Sequence, residues 1–200
     1  MLSLTKTIDS FPPEKSPELI SANYPFKAGN QWLYLNRDNL GGSTDTLAIF
    51  LSNIWEQDNQ KVGKLYLRQW GMLVDSAQLI QISKFLEYKE YDTKVTNYSW
   101  FGNFNLVFPI YKGAKAWVGP KGTGDSFRVV GYIDSMNVNG RKFKKVFSIK
   151  REYISPNDGS IVQLLFVCTD VGIVRESLNV NIPGIPPQSN SLSLLSYEIK

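Results

Sequence analysis

Two stretches limit what this chain can fold into more than any other feature. Across residues 46–55, Ala48, Phe50 and Ile54 fall on one face of a strand while Leu47, Ile49, Leu51 and Trp55 fall on the other. Residues 160–168 repeat the pattern, with Ile161, Leu165 and Val167 opposite Val162, Leu164, Phe166 and Cys168. A strand with one wet face alternates apolar and polar side chains, so both stretches must be covered on two sides. No other segment offers a clear amphipathic helix to do the covering. A curled sheet enclosing its own side chains meets the requirement, and so does one enclosing an apolar ligand.

The remaining pattern is short apolar or alternating runs separated by turn residues, which predicts antiparallel strands. Strands are expected at 31–36, 46–55, 64–74, 127–137, 141–154, 160–170, 173–180 and 192–199. Asn139-Gly140 is the strongest hairpin signal, because both residues tolerate positive φ. Residues 78–91 fit a strand, with Ile80, Ile82, Leu86 and Tyr88 on one parity, about as well as a helix capped by Ser76. Reading Asp75-Ser76 as a hairpin turn favours the strand. Gly172 interrupts a strand continuing through 173–180, which suggests a bulge or bend; 97–105 reads as a loop, and Pro156-Asn157-Asp158-Gly159 as a turn. The expected fold is mainly β with little helix: a single curved antiparallel sheet, half-barrel or closed meander, of about nine or ten strands. Residues 1–23, with Pro12, Pro13 and Pro17, read as a leader or linker, and 24–200 as one β domain.

Tyr24-Pro25-Phe26-Lys27-Ala28-Gly29-Asn30-Gln31-Trp32-Leu33-Tyr34 leads into the first strand, and Phe108-Pro109 through Trp117 partly repeats it. Pro suits the position before a strand, Gly allows a tight turn, and Trp then supplies an apolar anchor. Trp32 is expected to be buried.

The chain has 200 residues, a net charge of +4, one cysteine and no histidine. Those facts rule out an internal disulfide and a Cys/His zinc site. No apolar run reaches the roughly 18 residues of a membrane-spanning helix. Met1 to Lys6 carries no signal-peptide apolar region. The expectation is a periplasmic or outer-membrane-associated protein if an export signal has been removed, and a cytoplasmic one otherwise. Gly119-Pro120-Lys121-Gly122-Thr123-Gly124-Asp125-Ser126 places Asp125 where a phosphate loop needs Lys. Without histidine, nucleophiles lack their commonest activating base, and Cys168 in an apolar run reads as inert core. Carboxylate pairs such as Glu56/Asp58 or Asp134/Asp170 have no distinguishing spacing. The chain is therefore read as no enzyme, with no cofactor and no metal.

Gly29-Asn30-Gln31-Trp32-Leu33-Tyr34 gains meaning beside Gly113 to Trp117, Gly140-Arg141-Lys142-Phe143-Lys144-Lys145-Val146 and Asp170-Val171-Gly172-Ile173-Val174-Arg175. Together these resemble a group of uncharacterised bacterial exported proteins, often lipoproteins, called TapB-like, over about residues 24–180. The resemblance implies a curved antiparallel sheet akin to the half-barrel of the LolA/LolB lipoprotein carriers, and it supplies no catalytic residue. The chain has no lipobox cysteine near its start and departs from the group's pattern at Thr169-Asp170.

Two surface features remain. Arg141, Lys142, Lys144, Lys145, Lys150 and Arg151 form a basic stretch, but Phe143, Phe147 and Ile149 share one parity and Lys142, Lys144 and Lys150 the other. That is a strand with a dry inner face and a cationic outer one, so no nucleic-acid partner is expected. Tyr66, Arg68 and Trp70 form an aromatic–cation–aromatic face that suits the rim of a cavity. They are the candidate ligand-binding residues. The chain is read as a non-catalytic carrier or sensor of a lipid or other apolar or amphipathic molecule at the bacterial envelope. The alternative is a structural or protein-interaction module with a filled β core.

Overall fold

The computed structural model describes residues 24–82, 85–90, 104–107, 110, 117–118, 126–155, 159–184 and 186–200. The leader 1–23, most of the loop expected at 97–105, residues 119–125 and most of the second aromatic-Pro lead-in lie outside them. Twelve strands form one sheet: β1 (Gln31–Asp38), β2 (Thr44–Gln57), β3 (Gln60–Gln69), β4 (Met72–Ile82), β5 (Phe85–Glu90), β6 (Phe104–Val107), β7 (Trp117–Val118), β8 (Ser126–Val138), β9 (Arg141–Ser155), β10 (Gly159–Cys168), β11 (Gly172–Asn181) and β12 (Gln188–Glu198). Every pairing is antiparallel, and no helix occurs among the described residues.

The strand order is β6-β5-β4-β3-β2-β1-β12-β11-β10-β9-β8-β7. Two meanders therefore meet where the chain's first strand pairs with its last, and β6 and β7 form the edges. Eleven flat steps of about 4.8 Å would separate those edges by about 53 Å. The nine residues between Val107 and Trp117 span at most about 36 Å even when fully extended. The sheet is thus obliged to curl, and one buried cluster unites the two meanders, with Trp32, Leu47, Leu67 and Leu79 joined to Ile110, Phe127, Phe147 and Leu165.

The first aromatic-Pro segment packs against this core as expected. Trp32 is 2% exposed, and its Nε1–H donates to the Val171 carbonyl at 2.7 Å. The Tyr24 ring lies 6.2 Å from Trp32 and also against Gly172, where a Cβ would come within 3.2 Å of it. Asn30, fully buried, donates to the Pro25 carbonyl and accepts from the Lys200 backbone N–H, tying the lead-in to the C-terminus.

Several boundaries differ from expectation for physical reasons. The strand expected at 64–74 is two strands, because Trp70 (φ 50°) and Gly71 (φ 76°) form a tight hairpin turn between β3 and β4. Asp75-Ser76 is consequently no turn; both residues lie inside β4, and Asp75 is buried. Residues 78–91 contain the end of β4 and then β5, so the strand reading holds with a break between them. Of the bulge or bend expected at Gly172 (φ 97°), the structure has the bend: Gly172 opens β11 after the Thr169–Val171 turn. These splits, with short β6 and β7, raise the count among the described residues to twelve.

On β9 a positive φ at Lys145 shifts the alternation, so Val146 and Phe147 are both buried while Lys142 and Lys144 face outward. Arg151, on the parity of Phe147 and Ile149, lies buried on the inner face. Its Nη1 donates to Gln163 at 3.5 Å, and Gln163 Nε2 donates to Glu176 at 2.6 Å, carrying a buried polar row across β9, β10 and β11. A buried charge is tolerated only with such compensation.

Candidate ligand-binding groove

The sheet presents its fully buried residues to one face and half-buried ones to the other. On β1, Trp32 and Tyr34 are buried while Leu33 between them and Leu35 beyond are half-covered; on β2, Leu47, Ile49 and Leu51 are buried and Ala48 and Phe50 half-covered. The doubly apolar pattern of β2 therefore has two explanations. One side is core, and the other floors a groove.

Register sets the groove's composition. Leu33 pairs with Ala48 and with Ser196, Ala48 with Arg68, and Gln31 with Phe50 and Glu198. These side chains border an open groove of about 630 Å³ running over β12, β1, β2 and β3. Arg68 is exposed and forms no ion pair with a described residue, so a single uncommitted guanidinium stands beside an apolar floor. The groove's acid, Glu198, is held instead by Lys200 and Gln31.

The candidate trio is distributed unevenly. Arg68 lines the groove. Tyr66 pairs directly with Phe50, a groove residue, and carries Lys64 over its ring at 5.1 Å, but is not itself in the lining. Trp70 stands in the β3–β4 turn, 69% exposed and two residues beyond Arg68, so it does not continue the Tyr66–Arg68 face. Sequence reasoning missed Leu33 and the β12 residues of the groove. Phe50 and Ala48 were signalled by the doubly apolar run of β2.

Chemistry elsewhere is sparse. Cys168 is buried, its Sγ donates to the Lys144 carbonyl, and loss of solvation pushes its pKa up to about 11. Asp38, with the backbone N–H groups of Gly41 and Leu40 pointing at it, is held below the ordinary carboxylate range, which makes it a turn lock. Among the described residues, no group of three acids or thiols could hold a metal ion.

No protein-family model and no curated protein matches the chain. Solved structures similar to the chain are found at low identity. A protein described as exported with a YmcC-like fold, from Bacteroides fragilis, has a TM-score of 0.49 at 12% identity, covering 89% of this chain and 99% of its own. A protein described as a lipoprotein, from Parabacteroides distasonis, gives 0.45 at 12% identity with the same coverages. An outer membrane lipoprotein-sorting protein domain from Vibrio parahaemolyticus gives 0.28 at 7%, covering 86% of each chain. The functional reading rests on the groove itself.

Proposed function

We propose that this protein is a non-catalytic binding protein that carries or senses an amphipathic molecule in the groove over β12, β1, β2 and β3. The bacterial envelope is its proposed place, following the sequence resemblance to exported, lipoprotein-like proteins. The observation that carries the reading is the pairing of an open apolar floor, Leu33, Ala48 and Phe50, with the uncommitted Arg68. Its volume of about 630 Å³ falls within the few hundred to a thousand Å³ usual for small-molecule sites. Each CH₂ laid on the floor contributes up to about 0.8 kcal/mol before ordering and association are subtracted. Arg68 meets the anionic end, with Tyr66 beside it on the same strand face and the exposed Trp70 indole in the adjoining turn.

The second reading, an interaction module, is favoured by the core itself. Leu47, Leu51, Leu67 and Leu79 are fully buried, which supports packing of these core positions by the protein's own side chains. A fluorescent fatty-acid probe separates the readings. The carrier binds it saturably, Arg68→Gln weakens binding about tenfold through the lost charge-assisted contact, and Phe50→Ala and Trp70→Ala weaken it further. Native mass spectrometry of detergent-free protein then shows a lipid-sized adduct. Absence of both adduct and probe binding removes the carrier and leaves the interaction module.

A further inference from the structure

A second depression lies on the same face at the other end of the β1–β12 seam, and its chemistry is different. It encloses about 240 Å³ and is bordered by Arg37, Arg175, Ser191, Ser193, Asn137 and Asn139, with Leu35 and Val138 as its apolar members. The register explains the convergence. Leu35, Ser193 and Arg175 form one row across β1, β12 and β11, while Arg37, Ser191 and Ser177 form the next. Arg37 and Arg175 therefore sit on a diagonal, two strands and two residues apart. With about 4.8 Å between strands and about 3.3 Å per residue, their Cα atoms are about 12 Å apart, and two side chains of this length can reach one small ligand between them. The tip of the β8–β9 hairpin closes the third side. Asn139 Nδ2 donates to Ser193 Oγ at 3.1 Å and to the Leu194 carbonyl at 3.0 Å.

Two guanidinium groups at one pocket repel each other, and proteins ordinarily interleave a carboxylate. No carboxylate borders this pocket, and neither arginine forms an ion pair with a described residue. Asp38, next to Arg37 in sequence, is committed to the Gly41 and Leu40 N–H groups of its own turn. Arg175 is braced by Phe166, with its guanidinium carbon 6.0 Å above the ring. An aromatic support leaves the five N–H donors of arginine directed outward.

We propose that this pocket binds a phosphate-type oxyanion. Planar donor forks from two sides, the Ser193 hydroxyl, whose oxygen accepts from Asn139 and whose proton is free, and the amide of Asn137 suit a compact group with several acceptor oxygens and at least one full negative charge, while the Ser191 hydroxyl donates to Asn39 Oδ1 at 3.3 Å. At about 30 Å³ per water, the pocket holds the equivalent of about eight waters, so a phosphate ester fits with part of its ester group. The same phosphate chemistry reaches the protein either as a soluble phosphate or as a phospholipid headgroup.

Isothermal titration with inorganic phosphate tests the soluble source, and co-sedimentation with phosphatidylcholine vesicles carrying phosphatidic acid tests the lipid source. The expected result is saturable binding in at least one arm. Arg37→Gln and Arg175→Gln each weaken it at least about tenfold, the double variant abolishes it, and Arg175→Lys restores only part because a point charge replaces a fork. Lys27→Gln, which removes an exposed charge away from the pocket, leaves binding unchanged. Because both arginines are exposed, circular dichroism melts of the variants should overlay the parent's and exclude misfolding as the cause. Binding to vesicles alone identifies a lipid headgroup, and binding to inorganic phosphate identifies a soluble ligand; either outcome supports the pocket. Absence of binding in both arms, or binding that survives the double variant, overturns it.

Discussion

The two faces of β1 differ as sharply as any two regions of the molecule, although they alternate along eight residues. Trp32 and Tyr34 are each 2% exposed and give their polar atoms to the Val171 and Ile173 carbonyls. Leu33, Leu35 and Arg37 stand between and beyond them, half-covered or open, and border the groove and the phosphate pocket. One face is committed to folding, with the two aromatic side chains enclosed and their N–H and O–H donors satisfied. The other carries incomplete contacts and two kinds of depression, one apolar with a single cation and one polar with two. Substitutions on the inner face should therefore register as stability and those on the outer face as binding.

The sharpest break of that comparison is Trp32→Ala. It removes a side chain enclosed by Tyr24 and the β10–β11 turn, leaves the Val171 carbonyl without its partner, and should cost about 3–5 kcal/mol in denaturant unfolding. Leu33→Ala, one residue along on the half-covered face, should cost about 1 kcal/mol. Equal costs would show that the two faces are not functionally divided.

Cys168 sharpens the comparison by a kinetic route. Burial holds its thiol protonated, with the pKa raised to about 11 from an ordinary value of 9.0. Two units leave about a hundredfold less thiolate at pH 8, so iodoacetamide should alkylate the native protein about a hundredfold more slowly than the unfolded chain. The sign follows from a raised folded-state pKa. The thiol's contribution to stability is whole below pH 9 and is lost as pH climbs through 11. Rapid alkylation at pH 8 would place Cys168 with the open face.

What was legible in the sequence divides along the same line. Trp32 could be read from its aromatic-Pro-Gly lead-in, Cys168 from its apolar run, and the inward parity of Phe143, Phe147 and Ile149 because burial writes a period-2 pattern into neighbouring residues. The Asn139-Gly140 turn was legible because its backbone needs those residue types. The outer face writes no such pattern. Ser196 joins Leu33, and Ser191 joins Arg37, only through the pairing of the first strand with the last, more than 150 residues away. Tyr66 and Arg68 were legible as a face, and Trp70 was misread with them because a bulky residue seldom adopts positive φ. Asp75-Ser76 had the composition of a turn and drew the hairpin to the wrong place.

Trp70 also supplies the smallest and most discriminating prediction. Its backbone sits at φ 50° beside Gly71, in a two-residue hairpin turn where Asn or Gly is the favoured first residue. A side chain with a Cβ costs about 1–2 kcal/mol in that region, and Asn relieves part of this through local hydrogen bonding. At 69% exposure the indole has little packing to lose. Trp70→Asn should therefore stabilise the fold by about 1 kcal/mol, raising Tm by roughly 2–4 °C for a chain of this size. If the indole flanks the ligand of the adjacent groove, the same variant weakens fatty-acid probe binding while it stabilises the protein. That opposition is the mark of strain retained for function. A variant that is more stable and binds the probe as well as the parent removes Trp70 from the site and leaves Arg68 to carry it. A variant that loses stability shows that the indole packs across the turn, which would move Trp70 from the binding face of the comparison to the folding face.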